Sequence, residues 1–75
     1  MKLNDFTNIN NYIFEFNFEN GLHKRVDIAP LIQAKVSLKD LKSAHIDEDW
    51  GCLEFNDGMV DIDPKTLYKF VINLS

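Results

Sequence analysis

The chain has 75 residues, 45% of them hydrophobic and 12% aromatic, enough for one small domain spanning residues 1–75 and no more. Twelve acidic residues against eight basic ones leave a net charge of −4, which argues against direct nucleic-acid binding and points to protein partners, basic ones among them. A single cysteine rules out an internal disulfide, and no apolar run approaches the roughly 20 residues of a membrane span, so a cytoplasmic protein without membrane contact is expected.

Residues 1–10 are polar and rich in Asn. They read either as a loose segment or as a strand carrying Leu3, Phe6 and Ile9. From Tyr12 the pattern alternates with period two: Tyr12, Phe14, Phe16 and Phe18 on one side, Glu15 and Asn17 on the other. That is a strand with one buried face. Asn20-Gly21 predicts a two-residue hairpin turn, since both residues accept positive φ. The return strand runs from about Leu22 to Ile28. Lys24 interrupts its apolar side, where a long stem can reach solvent.

After Pro30 the period changes to helical through Leu31 and Ile32. Ser37 and Asp40 are spaced like a capping box for a second short helix through Leu41 to about Ser43. Ala44-His45-Ile46 reads as a brief strand and Asp47-Glu48-Asp49 as a turn. Trp50–Phe55 alternates again, Asp57-Gly58 predicts another hairpin, and Met59–Ile62 returns. Asp63 then caps a helix that has Pro64 at its first position, where the missing N–H costs nothing. This helix is apolar nearly all round, with Leu67, Tyr68, Phe70, Val71, Ile72 and Leu74. It is therefore either deeply buried or in contact with another chain.

The phrase Val26-Asp27-Ile28-Ala29-Pro30 recurs as Val60-Asp61-Ile62-Asp63-Pro64. The expected fold is α+β: two β-hairpins in one antiparallel sheet, with two to three helices mainly on one face, in a ββα-ββα pseudo-repeat. Charge divides differently from the fold. Residues 22–45 carry five basic and two acidic residues, whereas residues 46–63 carry seven acidic residues and no Lys or Arg.

No catalytic constellation is apparent, so no enzyme is expected and no cofactor or metal is implied. Asp61 and Asp63 read as a strand residue and a helix cap rather than as an acid–base pair, which would need a partner in a cleft. A calcium loop starting at Asp47 fails at its sixth and twelfth positions, which are Cys52 and Gly58. His23 and His45 lack ligand spacing, and Cys52 has no basic neighbour in sequence to activate it. His23-Lys24-Arg25 lacks the exposed aromatics of an RNA-binding sheet. Two surfaces remain. Asp47, Glu48, Asp49, Trp50 and Met59 form a candidate partner interface, with Trp50 placed near Met59 across the second hairpin; Trp is favoured at binding hot spots. Phe70 and Ile72 form a candidate homodimer interface.

Several phrases occur in a distinctive order: the aromatic strand leading to Asn20-Gly21, Val26-Asp27-Ile28 running into Leu31-Ile32, then Leu41. Leu53-Glu54-Phe55 follows with Asp57-Gly58, and Asp61-Ile62-Asp63-Pro64 with Leu67-Tyr68. Over about residues 12–70 this resembles the bacterial domain-of-unknown-function family twenty-four forty-two. The resemblance implies an antiparallel sheet backed by helices and no assigned catalytic residues. Some members resemble the N-terminal part of helix-turn-helix proteins, while others stand alone beside a second small gene. It therefore implies an interaction module, the antitoxin-like or regulatory half of a gene pair; the alternative is a homodimeric domain of transcription regulators. The sequence stops just after its last helix, so no DNA-binding module is expected. The chain departs from the family pattern in placing Trp50 five residues before Phe55, and in the strength of the acidic run 47–49.

Overall fold

A computed structural model describes residues 2–73. Among them, six strands form two separate three-stranded antiparallel sheets. Sheet 1 comprises β1 (Leu3–Asn10), β2 (Ile13–Phe18) and β3 (His23–Asp27) in the order β1-β2-β3. A one-turn helix α1 (Ala29–Ile32) and a 3₁₀ helix (Leu38–Ser43) lead to sheet 2. Sheet 2 comprises β4 (His45–Ile46), β5 (Leu53–Phe55) and β6 (Val60–Ile62) in the order β4-β5-β6, and α2 (Pro64–Asn73) follows.

The fold is thus α+β, but it is not one sheet of two hairpins. Each half begins with a strand outside the ββα pseudo-repeat: residues 45–46 form the brief strand expected there, and residues 3–10 take the strand alternative. Residues 3–10 pair along β2 despite their polarity, because the strand is mostly exposed and needs few apolar anchors. Leu3 is buried, and Phe6 packs on the core opposite Phe16. The His45–Ile46 strand has only two residues, both paired to β5. The repeat is a three-stranded meander followed by a helix, twice over.

The turns differ in chemistry. Between β2 and β3 the turn closes on Phe18 and Leu22 with three residues inside it: Gly21 N–H donates to Phe18 O, Phe18 N–H donates to Leu22 O, and Asn17 pairs with His23. Gly21 has φ +90° whereas Asn20 does not have positive φ, so this is a three-residue turn with a glycine bulge and not the expected two-residue turn. The Asn20 side chain instead accepts from Leu22 N–H. Between β5 and β6, Asp57 and Gly58 do adopt positive φ, and Met59 N–H closes the turn onto Asn56 O.

The core lies between the sheets and the helices. Phe14, Phe16 and Phe18 on β2 are 0–1% exposed, and Phe55, Leu53 and Leu67 are fully buried. Lys24 pairs with Phe16 and is half-buried, as a snorkelling lysine can be. The outer face of sheet 1 is polar. Arg25 donates through both Nε and Nη2 to Glu15 Oε2, and His23 meets Asn17, which in turn donates to Asp5.

Helix starts follow the two repeated phrases. Asp63 Oδ1 accepts from Lys65 N–H, capping α2 with Pro64 as its first residue. In the first phrase Ala29 stands at the position of Asp63 and the N-cap residue, Ile28, makes no side-chain cap; one residue further back, Asp27 Oδ1 accepts from Ala29 N–H. Ser37 makes no side-chain cap; the 3₁₀ helix opens with Asp40 N–H on the Ser37 carbonyl, so the expected capping box is absent. In α2, Leu67 and Val71 are buried, Tyr68 and Phe70 pack partly on the core, and Ile72 is 40% exposed. Leu74 lies outside the described residues.

Candidate functional site

The loop between β4 and β5 is built around Asp47. Asp47 N–H donates to Cys52 O at 2.9 Å, and its carbonyl accepts from Gly51 N–H at 2.8 Å. Its carboxylate accepts from Trp50 N–H at 3.0 Å. Gly51 closes the loop with φ +74°, against the side chain of Lys2. Asp47 therefore serves to shape the loop, and the groups presented to solvent are Glu48, Asp49 and the indole of Trp50, which is 74% exposed.

Met59 is 85% exposed but sits in the β5–β6 turn, at the other end of β5. The register sets Phe55 against Val60 and brings Met59 to Asn56, so Met59 is not beside Trp50. The expected five-residue patch is two sites, a Trp50 loop and a Met59 turn. Phe70 is half-buried against the core, which leaves Ile72 as the more exposed of the two candidate dimer contacts.

Beside the Trp50 loop an open groove of ≈ 330 Å³ runs between the start of β1 and β4, lined by Lys2, Leu3, Asn4, Ile46, Asp47, Glu48 and Gly51. Its walls mix acids, a lysine and apolar side chains, without a nucleophile. The outer face of sheet 2 holds Cys52, Glu54 and Asp61, with Glu54 directly opposite Asp61. Burial raises the Cys52 thiol pKa, and the carboxylates of Asp61, Asp63, Asp47 and Glu54 raise it further. The thiol is therefore kept protonated, the reverse of what nucleophilic chemistry requires. Among the described residues, no three His, Cys, Asp or Glu side chains converge as a metal site, and no helix is long and apolar enough to cross a membrane.

Sequence reasoning misses one pairing. His45 Nε2 lies 2.8 Å from Glu54 Oε1, and its Nδ1 lies 3.1 Å from the Ser43 carbonyl. The His45 pKa is raised, first by that backbone carbonyl and also by Glu54 and Asp57, with burial opposing. The signal was available: once residues 44–46 pair with β5, a basic side chain falls opposite Glu54. His23, by contrast, joins the polar face of sheet 1, with Nε2 3.9 Å from Glu15 Oε1.

No curated protein and no solved structure matches the chain. The aromatic strand β2, the paired turns and the capped start of α2 are the features on which the family resemblance rests. The model of the family described as Protein of unknown function (DUF2442) matches residues 4–73, and the chain belongs to that family.

Proposed function

We propose that this chain is a non-enzymatic protein-interaction module that binds its partner through the β4–β5 loop, with Trp50 as the anchor. The observation carrying this reading is an indole 74% exposed on a loop whose backbone Asp47 holds at three points. A held loop loses little freedom on binding, and burial of an aromatic anchor supplies much of an interface's affinity. Glu48 and Asp49 flank Trp50 and favour a basic partner surface. The role as the antitoxin-like or regulatory half of a gene pair is carried over from the family resemblance.

The test is co-expression with the product of the adjacent gene, followed by purification. Co-purification that Trp50→Ala abolishes, together with a blue shift of Trp50 emission in the complex, is the expected result. A complex indifferent to Trp50→Ala would sink the assignment of the loop, and no complex at all would sink the partner. The homodimer reading, through Ile72 and the exposed part of Phe70, has a separate readout. Light scattering of the purified chain at high micromolar concentration then gives twice the monomer mass.

A further inference from the structure

His45 stands at a junction. It belongs to β4, whose ladder with β5 has just two residue pairs, His45 with Glu54 and Ile46 with Leu53. Both of its ring nitrogens face acceptors: the Ser43 carbonyl at 3.1 Å and the Glu54 carboxylate at 2.8 Å. A neutral imidazole has one N–H and can donate to one of them; the imidazolium has two and satisfies both. Ser43 is itself a hub. Its hydroxyl donates to Asp40 O at 2.6 Å and accepts from Asn56 N–H at 2.8 Å. The 3₁₀ helix, β4 and β5 thus meet at one titratable ring, and the β5–β6 turn reaches the same junction through the Ser43 hydroxyl.

We propose that His45 is a proton-operated clamp: as the imidazolium it ties β4 to β5 and to the end of the 3₁₀ helix, and its neutralisation loosens β4 together with the Trp50 loop. The groups facing the ring set the direction. Glu54 approaches from β5 and Asp57 from the β5–β6 turn, and Asp61 of β6 stands opposite Glu54. The 3₁₀ helix contributes the Ser43 carbonyl. The Ser43 carbonyl, Glu54 and Asp57 favour the cation, and desolvation opposes it. A folded-state pKa above the ordinary 6.5 means that the clamp contributes fully below about pH 6.5 and is lost as pH rises through the folded value. The loop after β4 is the element exposed to this change, since a two-residue edge strand is its anchor on that side.

The clamp needs no partner, and the free protein suffices to test it. The His45 ring protons are titrated by NMR, and amide-exchange protection factors are measured for Asp47 and Gly51, whose N–H groups close the loop, on both sides of the midpoint. The expected midpoint lies above 6.5 and moves down in Glu54→Gln. Protection of the two amides falls on the order of twofold to fivefold above the midpoint, the range an exposed ion pair supports. In His45→Gln, protection is flat across the same range. A wild-type midpoint at or below 6.5 would overturn the proposal. So would protection that ignores the titration, or that changes equally in His45→Gln.

Discussion

Phe14 meets Phe55 edge to face, with ring centroids 6.3 Å apart and planes at 87°. The first sits on the central strand of sheet 1 and the second on the central strand of sheet 2. Both are fully buried, so this contact joins the two sheets into one core. Phe55→Ala would leave a cavity at the joint and cost about 3–5 kcal/mol. A chain of this length has about 4–11 kcal/mol of stability in all. Urea titration is expected to show a marginal or unfolded variant. A loss under about 1 kcal/mol would mean that the sheets are held together elsewhere.

The two aspartates at the helix starts give a paired comparison. Asp63→Ala removes the acceptor for Lys65 N–H at the head of a ten-residue helix and is expected to cost about 1 kcal/mol. Asp27→Ala removes the acceptor for Ala29 N–H at a four-residue helix, where fewer hydrogen bonds depend on it. Its effect should be the smaller, by thermal or urea unfolding. The reverse order would show that Asp27 has a role beyond the cap.

Gly51 and Gly21 both have positive φ, but their surroundings differ. A Cβ on Gly51 would lie 3.2 Å from the side chain of Lys2, whereas on Gly21 it would meet nothing within 4 Å. Gly21→Ala therefore carries the backbone cost alone, about 1–2 kcal/mol. Gly51→Ala is expected to exceed it and also to displace the loop. Chemical-shift changes in residues 47–52 would register that displacement, and equal stability losses without shift changes would contradict it.

Trp50 is the chain's one tryptophan, and its exposure has an optical signature. The folded protein is expected to emit close to the wavelength of free indole in water, with ready acrylamide quenching and little change on unfolding. Trp50→Ala should change stability by less than about 0.5 kcal/mol, as surface substitutions do. A blue-shifted, protected emission from the free monomer would show the indole packed.

Cys52 is expected to be a slow thiol. Burial and four carboxylates raise its pKa, so the thiolate fraction at pH 8 is depressed. Its reaction with an aromatic disulfide reagent should accelerate several-fold in denaturant, beyond the change of a free thiol in the same solvent. Equal rates in folded and unfolded protein would be incompatible with this environment.

Legibility from sequence followed the strength of local patterns. Alternation of four aromatics located β2 and its buried face, and Asp63-Pro64 marked the start of α2 to the residue. β1 and the pairing of β4 are harder to read for opposite reasons. β1 is long but mostly polar, with register irregularities near both ends, so it lacks a clean period. β4 is too short to have a period at all. The two-sheet arrangement was hidden because no sequence pattern states whether two hairpins share hydrogen bonds or only side chains. The surface reading divided in the same way. Trp50 is exposed because it lies in the turn before β5, not on the strand expected over residues 50–55, and its separation from Met59 depends on a register that alternation does not determine.

The last helix follows sheet 2 in the chain, but Tyr68 packs edge-on against Phe18 of sheet 1 at 5.1 Å and takes a hydrogen bond from Asn20. The two repeats are consequently interleaved rather than stacked. A break in the connector near Ser37 would yield two fragments, each lacking part of its own core and carrying part of the other's. Mixed together, they are expected to reassemble as halves of a split protein, each the template on which the other folds.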